Sequence, residues 1–303
     1  MSENTVPLEE MTNITENPES IEVSCPAGAN IISLTSALKP TSRSALLILN
    51  QPIVIPRFKA LWDNFQLKIC GDGGANQLFR LFTTDEERKL YLPHYIIGDL
   101  DSLENDVRSW YESHGVEVIP QTTQYATDLN KCLDAVEVYY NLKDLNQEFV
   151  AKEIDHYDGL IKLHSNIKSH NAIQCVLLGA IDGRFDHTIQ SISLLFNLSK
   201  TNPNLRLYYL SPTDLIFMIP KGVNHLEYEN LSAIHGSNCG LLPLGGPVKL
   251  TTHGFKWDVA NWESSIKGSV SSSNRLVGVN GATIESDDDL ILNIQVNHQE
   301  LSL

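Results

Sequence analysis

Four acidic residues stand in short motifs: Asp72 in the glycine-marked "CGDGGAN", Asp99 and Asp101 in "GDLDS", and Asp128 in "QYATDLNK". Each follows an apolar run that reads as a buried strand, where a carboxylate is costly unless something compensates it. Carboxylates gathered at one place repel, and a hard divalent cation removes the repulsion. Mg²⁺ is commonly held by one or two carboxylates together with phosphates and water. Gly73 and Gly74, followed by Ala75 and Asn76, make a strand-to-helix turn whose backbone N–H groups can approach a phosphate. Asp99 and Asp101 share a direction if the chain stays extended, so they can converge. Lys131, one turn after Asp128, supplies a positive charge. Acidic ligands beside a phosphate-accepting backbone point to phosphoryl or nucleotidyl transfer.

Each piece alone has a plainer reading. Asp99 and Asp101 could be a turn or cap pair, "DGGAN" a turn and helix start, Asp128 a helix cap, and Lys131 a solvated helix lysine. What joins them is their order and their common location at strand ends, where ligands bind in open α/β sheets. Neither GxxxxGK[ST] nor GxGxxG occurs at a matching strand–helix junction, so neither a P-loop nor a nicotinamide fingerprint is supported.

The elements that must position these residues alternate. From Ala45, "ALLILN", "KIC", "YIIGD", "VEVI", "AIQCVLLGA" and "LRLYYL" read as strands, separated by helical segments such as "GANQLFRLF" and "TDLNKCLDAVEVYYNL", which Thr127 or Asp128 could cap. That alternation predicts an open, mostly parallel sheet with helices on both faces over 41–211. The polar stretch 143–170 reads as a surface insertion. After Ser211 the helical signal gives way to short runs punctuated by Gly, Pro and Asn, which predict an antiparallel β-sandwich over 212–303. Residues 1–40, rich in Ser, Thr, Asn, Glu and Pro, read as a flexible, dispensable tail.

A net charge of −15 argues against a nucleic-acid or anionic-membrane partner, both of which need a basic face. No apolar run is long enough to span a bilayer, and no secretory leader is legible at the N-terminus. The five cysteines are scattered and form no CxxC pair or zinc spacing, so free thiols in a cytoplasmic compartment are expected.

"CGDGGANQLF", "GDLDS", "TDLNKCL", "GAIDGRFDH", "GLLPLGGPV", "TTHGFKWDV" and "SSSNRL" occur in this order, and together they resemble the thiamine pyrophosphokinase family. The resemblance starts at "LNQP" and leaves out the first 40 or so residues and the 143–170 insertion. It implies transfer of pyrophosphate from ATP to the hydroxyethyl group of thiamine, giving thiamine diphosphate and AMP. It further implies Mg²⁺ on Asp72, Asp99, Asp101 and Asp128, and nucleotide contacts from Gly73, Gly74, Ala75, Asn76, Thr127, Lys131 and Arg184. Thiamine contacts would come from Asp186, Trp257, Ser272, Ser273 and Asn274, in a homodimer that shares the site. Leu100 where the family often has Phe, "TDLNK" for "TDFTK", and His187 where Gln is frequent depart from the pattern without removing a carboxylate. Two other readings fit the same motifs: a related Mg²⁺-dependent transferase acting on another alcohol, and a non-enzymatic nucleotide or thiamine sensor. In "HGFKWDV", strand alternation would put Phe255 and Trp257 on one face, and on that strand alone Trp257 reads as sandwich core.

Overall fold

The computed structural model describes residues 13–40, 42–167, 171–228, 231 and 234–299. The chain begins with β1 (Ile14–Glu16), β2 (Asn30–Ser33) and the short helix α1 (Leu34–Leu38). An alternating series follows: β3 (Ser44–Ile48), α2 (Phe58–Asn64), β4 (Leu67–Gly71), α3 (Gly74–Leu81), α4 (Asp85–Arg88), β5 (Tyr95–Gly98), α5 (Asn105–Ser113), β6 (Glu117–Pro120) and α6 (Asp128–Asp144). A 3₁₀ turn at Ala151–Glu153, α7 (Gly159–His164), β7 (Ile173–Leu178), α8 (Phe185–Thr201) and β8 (Leu205–Leu210) complete it. Only strands are described beyond Pro212: β9 (Asp214–Ile219), β10 (Gly222–Glu227), β11 (Asn238–Leu242), β12 (Val248–His253), β13 (Trp257–Val259), β14 (Trp262–Ser264), β15 (Ser271–Arg275), β16 (Ala282–Ser286) and β17 (Leu290–Gln295).

Two compact units result. One comprises residues 38–194 and 200–212, the other the described residues of 13–37, 195–199 and 213–299. In the first, six parallel strands run in the order β8-β7-β3-β4-β5-β6. Central strands have both faces covered, which is why "ALLI" is apolar without alternation and the strand is buried at every position. The Tyr140 hydroxyl ties α6 to β3, donating to the Ser44 carbonyl (2.9 Å) and accepting from the Ser44 N–H (2.8 Å).

The 143–170 stretch is more than a surface elaboration. Phe149, Ala151, Ile154 and Leu160 are buried. Its backbone receives the Thr122 and Thr123 N–H groups at His156 and Tyr157 (2.9 Å each), and the Gln121 side chain bonds both Asp155 and Leu160. The insertion thus steadies the loop from β6 to α6. Residues 168–170 lie outside the described residues.

In the second unit, β14-β12-β16-β10-β2 form one sheet and β15-β11-β17-β9 run antiparallel in another. Strand β12 alternates buried and exposed along its length, the signature of a sheet with one covered face. The reading of residues 1–40 as a flexible tail is corrected here. Residues 1–12 lie outside the described residues, but β1 pairs with β13 and β2 runs parallel to β10. Val23, Ile32 and Leu34 are buried. A polar segment need not bury much surface to be ordered when another strand offers it a ladder of hydrogen bonds.

Candidate active site

Asp72, Asp99 and the start of α6 stand beyond the carboxyl ends of β4, β5 and β6, around a cavity of about 780 Å³ in the first unit. Carboxylate oxygens of Asp72, Asp99 and Asp128 lie within 4.8 Å of one another. They meet over Gly98, where a Cβ would come 2.8 Å from the Asp72 Cβ and 3.0 Å from an Asp128 oxygen. The glycine in "IIGDLDS" is therefore demanded by the approach of the carboxylates.

Asp72 is buried and adopts a left-handed backbone with φ of 42°, a strained choice for a non-glycine residue. Its Oδ2 accepts the Ser102 N–H at 3.1 Å, while Oδ1 is buried with no protein hydrogen-bond partner. Burial pushes its carboxyl up to about 6, and the charges of Asp128, Asp101 and Asp99 add to this against the Ser102 bond. Asp128 Oδ1 accepts from the Lys131 ammonium (3.0 Å) and from the Asp99 N–H (3.3 Å). Asp99 Oδ2 accepts from Gln124 Nε2 (3.3 Å). Lys131 is buried, so the plainer reading of a solvated lysine fails. The cap of α6 is Thr127, whose Oγ1 accepts the Asn130 N–H (3.3 Å), which leaves the Asp128 carboxylate free of capping duty.

Several expected site residues are placed differently. Asp101 is exposed and outside the three-carboxylate group, because Leu100 adopts φ of 66° and turns the chain where an extended run would have aligned the pair. Its Oδ1 accepts from the Ser102 hydroxyl instead. Ala75 and Asn76 are buried and are not part of the cavity lining. Asn76 donates to the Ser102 carbonyl (2.8 Å) and accepts from the Glu104 N–H (3.1 Å), so its side chain shapes the loop after Asp101. Gly74 has a packing role: a Cβ there would lie 2.1 Å from the Ile48 carbonyl oxygen. Gly73, Thr127, Lys131 and Arg184 do line the cavity. Arg184 holds Asp186 in a two-bond pair (3.1 and 2.5 Å), both side chains exposed, and Asp186 is not part of the lining. The cavity also presents Asn50, Gln51, Gln124, Tyr125, His187 and Gln190. Asn50 and Gln51 belong to the "LNQP" that follows β3, a strand-end position that could have flagged them.

The strand-face expectation for "HGFKWDV" fails in the second unit. Phe255 is fully buried, whereas Trp257 is 42% exposed. Gly254 turns with φ of 104°, and the buried Asp258 carboxylate gathers the Gly254 and Phe255 N–H groups (3.1 Å each) and the Thr252 hydroxyl (2.9 Å). Ordered strand resumes only at Trp257, whose exposure excludes the core reading. Ser272 and Ser273 are exposed, but Asn274 is buried. Its amide accepts the Trp257 N–H (3.1 Å) and donates to the Trp257 carbonyl (2.8 Å), doing for that residue what a neighbouring strand would do.

Comparison with known proteins meets this geometry from outside. Residues 58–207 match the family model for "Thiamin pyrophosphokinase, catalytic domain", and residues 225–291 the one for "Thiamin pyrophosphokinase, vitamin B1 binding domain". A thiamine pyrophosphokinase of Saccharomyces cerevisiae is 39% identical over 308 residues, covering 93% of this chain and 95% of its own. Thiamine pyrophosphokinase 1 of Arabidopsis thaliana is 35% identical, covering 86% and 90%. The crystal structure of yeast thiamin pyrophosphokinase superposes with a TM-score of 0.88 at 38% identity, over 95% of this chain and 98% of that one. The Candida albicans structure gives 0.86 at 36%, over 94% and 98%.

Proposed function

The chain belongs to the thiamin pyrophosphokinase family, and from that premise we propose that it transfers the pyrophosphoryl group of ATP to the hydroxyethyl oxygen of thiamine, with Mg²⁺, giving thiamine diphosphate and AMP. One observation carries the reading: three carboxylates, two from strand ends and one from the start of α6, converge beside a buried lysine on a cavity wide enough for a nucleotide.

The donor set suits a hard divalent ion. It consists of carboxylate oxygens in mutual repulsion, and one of them, Asp72 Oδ1, is buried without a protein partner. Asp72, Asp99 and Asp128 would hold Mg²⁺, with Asp101 adding negative charge at the rim. When bound, the ion supplies neutralisation of phosphate charge. The chain's own groups do the rest by positioning, which dominates in loose phosphoryl transition states. Lys131, fixed by Asp128, presents a point charge to the phosphates. Thr127 and Arg184 line the nucleotide side with Gly73. Trp257 offers its exposed indole face to the cationic thiazolium, worth about 0.5–2 kcal/mol depending on desolvation. Ser272 and Ser273 add polar contacts, and Asp186 accepts the aminopyrimidine N–H groups. A pair of chains shares the thiamine site, which sedimentation would test by the presence of a dimer.

The five free cysteines, four of them buried, support a reducing cytoplasmic setting. No described helix is long and apolar enough to cross a membrane. The test is AMP release from ATP with and without thiamine, in Mg²⁺ and then in EDTA. Release that needs both thiamine and the free cation is expected; release indifferent to either overturns the proposal.

A further inference from the structure

The strand that carries Trp257 is short, and its strand partner among the described residues is β1, from the far end of the chain. The pairing sets Ile14 against Val259, Thr15 against Asp258 and Glu16 against Trp257. It continues on both sides: the Asn17 N–H donates to the Lys256 carbonyl (2.8 Å), and the Ala260 N–H to the Asn13 carbonyl (2.9 Å). The Asn17 side chain then reaches into the turn, donating to the Phe255 carbonyl (2.8 Å) and to the buried Asp258 carboxylate (2.5 Å). Lys256 answers from the other strand. Its ammonium bonds the Asn17 carbonyl (2.6 Å) and lies 3.2 Å from both Glu16 and Glu19, and Glu19 also pairs with Arg275 at 2.5 Å.

This contact does not build a core. All three residues of β1 are exposed, and apart from the Asn17 bond to Asp258 the interactions are backbone bonds and charge pairs whose carboxylates, Glu16 and Glu19, are exposed, worth little to global stability. Burial begins only further along, at Val23, where the Asn280 amide clasps both backbone groups. Meanwhile the Trp257 backbone is already held on one side by Asn274. What β1 adds is the second side of a clamp.

We propose that residues 13–19 are a positioning strap for Trp257: by pairing with β13 and bracing the 254–258 turn through Asn17, they hold the indole in the orientation that receives thiamine. The inference rests on the reading of Trp257 as a thiamine contact. A side chain that is 42% exposed has few packing neighbours to fix its direction, so its backbone must do so.

Two full-length variants test it, Asn17→Ala and the double change Glu16→Gln with Glu19→Gln. The second leaves the Asp258 turn intact, so it remains informative if Asn17→Ala unfolds. Both should raise KM for thiamine, Asn17→Ala by about tenfold, which is one hydrogen bond's worth of lost positioning. KM for ATP and the melting midpoint should stay near wild type. In a Trp257→Ala background neither change should have any further effect on thiamine, since the group they position is gone. If Trp257→Ala itself leaves thiamine KM unchanged, the reading of Trp257 fails. If Trp257→Ala raises it while both strap variants keep wild-type values, the strap is overturned. Equal rises in both substrates' KM with a lower melting midpoint would overturn it as well, returning β1 to a purely structural role.

Discussion

Asp72, Asp99 and Asp128 are in one another's field because Gly98 has no side chain, and Lys131 offsets only part of their repulsion. The upward shift at Asp72 says that its charged form is disfavoured in the folded chain. Asp72→Asn, Asp99→Asn and Asp128→Asn should therefore each reduce AMP release about a hundredfold or more, the scale of losing one preorganised electrostatic group, with circular dichroism unchanged. Asp72→Asn should in addition raise the melting midpoint in EDTA, because it removes a buried charge that the fold penalises. Lys131→Met should act in the opposite sense on the ion. Without the ammonium 3.0 Å from Asp128, the carboxylates attract a divalent cation more strongly. Calorimetric Mg²⁺ affinity should rise while turnover falls and the EDTA melting midpoint drops. A Lys131→Met variant with weaker Mg²⁺ binding would contradict this account of the charge balance.

The elements that bear these groups are fixed by close contacts and by one ionic clamp. Helix α3 begins so near the end of β3 that Gly74→Ala must displace the Ile48 carbonyl, and its cost should be about 1–3 kcal/mol in urea unfolding, the usual price of overpacking. Helix α6, which starts at Asp128, is joined to α7 by His164. Its Nε2 lies 2.8 Å from Glu137 and its Nδ1 3.3 Å from Asp134, with Asn202 also donating to Glu137 (2.8 Å). The Glu137 hydrogen bond, helped by both carboxylate charges against burial, raises the His164 pKa, and burial pushes Asp134 up to about 6. A histidine with a raised folded pKa stabilises fully below its unfolded value and loses that contribution as pH rises through the folded one. The raised Asp134 likewise costs stability as pH climbs from its unfolded value toward about 6, so both contributions weaken toward alkaline pH. His164→Gln should thus destabilise more at about pH 6 than at about pH 9, where the imidazolium has been lost in the parent chain too. Equal destabilisation at both would mean that the clamp is not ionic.

At the scale of the whole molecule, the N-terminal segment belongs to the strand-rich unit. A chain beginning at residue 42 loses the partners of β13 and β10 together with the buried Val23, Ile32 and Leu34. Each such side chain contributes about 1.5–3 kcal/mol on burial, so the sum is comparable with the total margin of about 5–15 kcal/mol that holds a domain folded. Poor soluble yield or a markedly lower melting midpoint is expected in a thermal scan. A truncated chain that melts like the parent would restore the dispensable tail.

What the sequence determined by itself was the alternation of buried strands and helices, the change of regime near Pro212, and the placing of acidic residues at successive strand ends. Those features are local: apolar runs, capping residues and glycines report burial and turns within a few positions. The tertiary structure decided which of the marked residues face the cavity. Leu100 turns Asp101 outward, Asn76 spends its amide on residues 102 and 104, and Asn274 spends its own on Trp257. It also decided the fate of the N-terminal segment, whose Asn17 bonds a residue 241 positions away. A side-chain amide that closes a long-range hydrogen bond looks the same in a sequence as one waiting for a ligand. Only the fold shows which donors and acceptors are already taken.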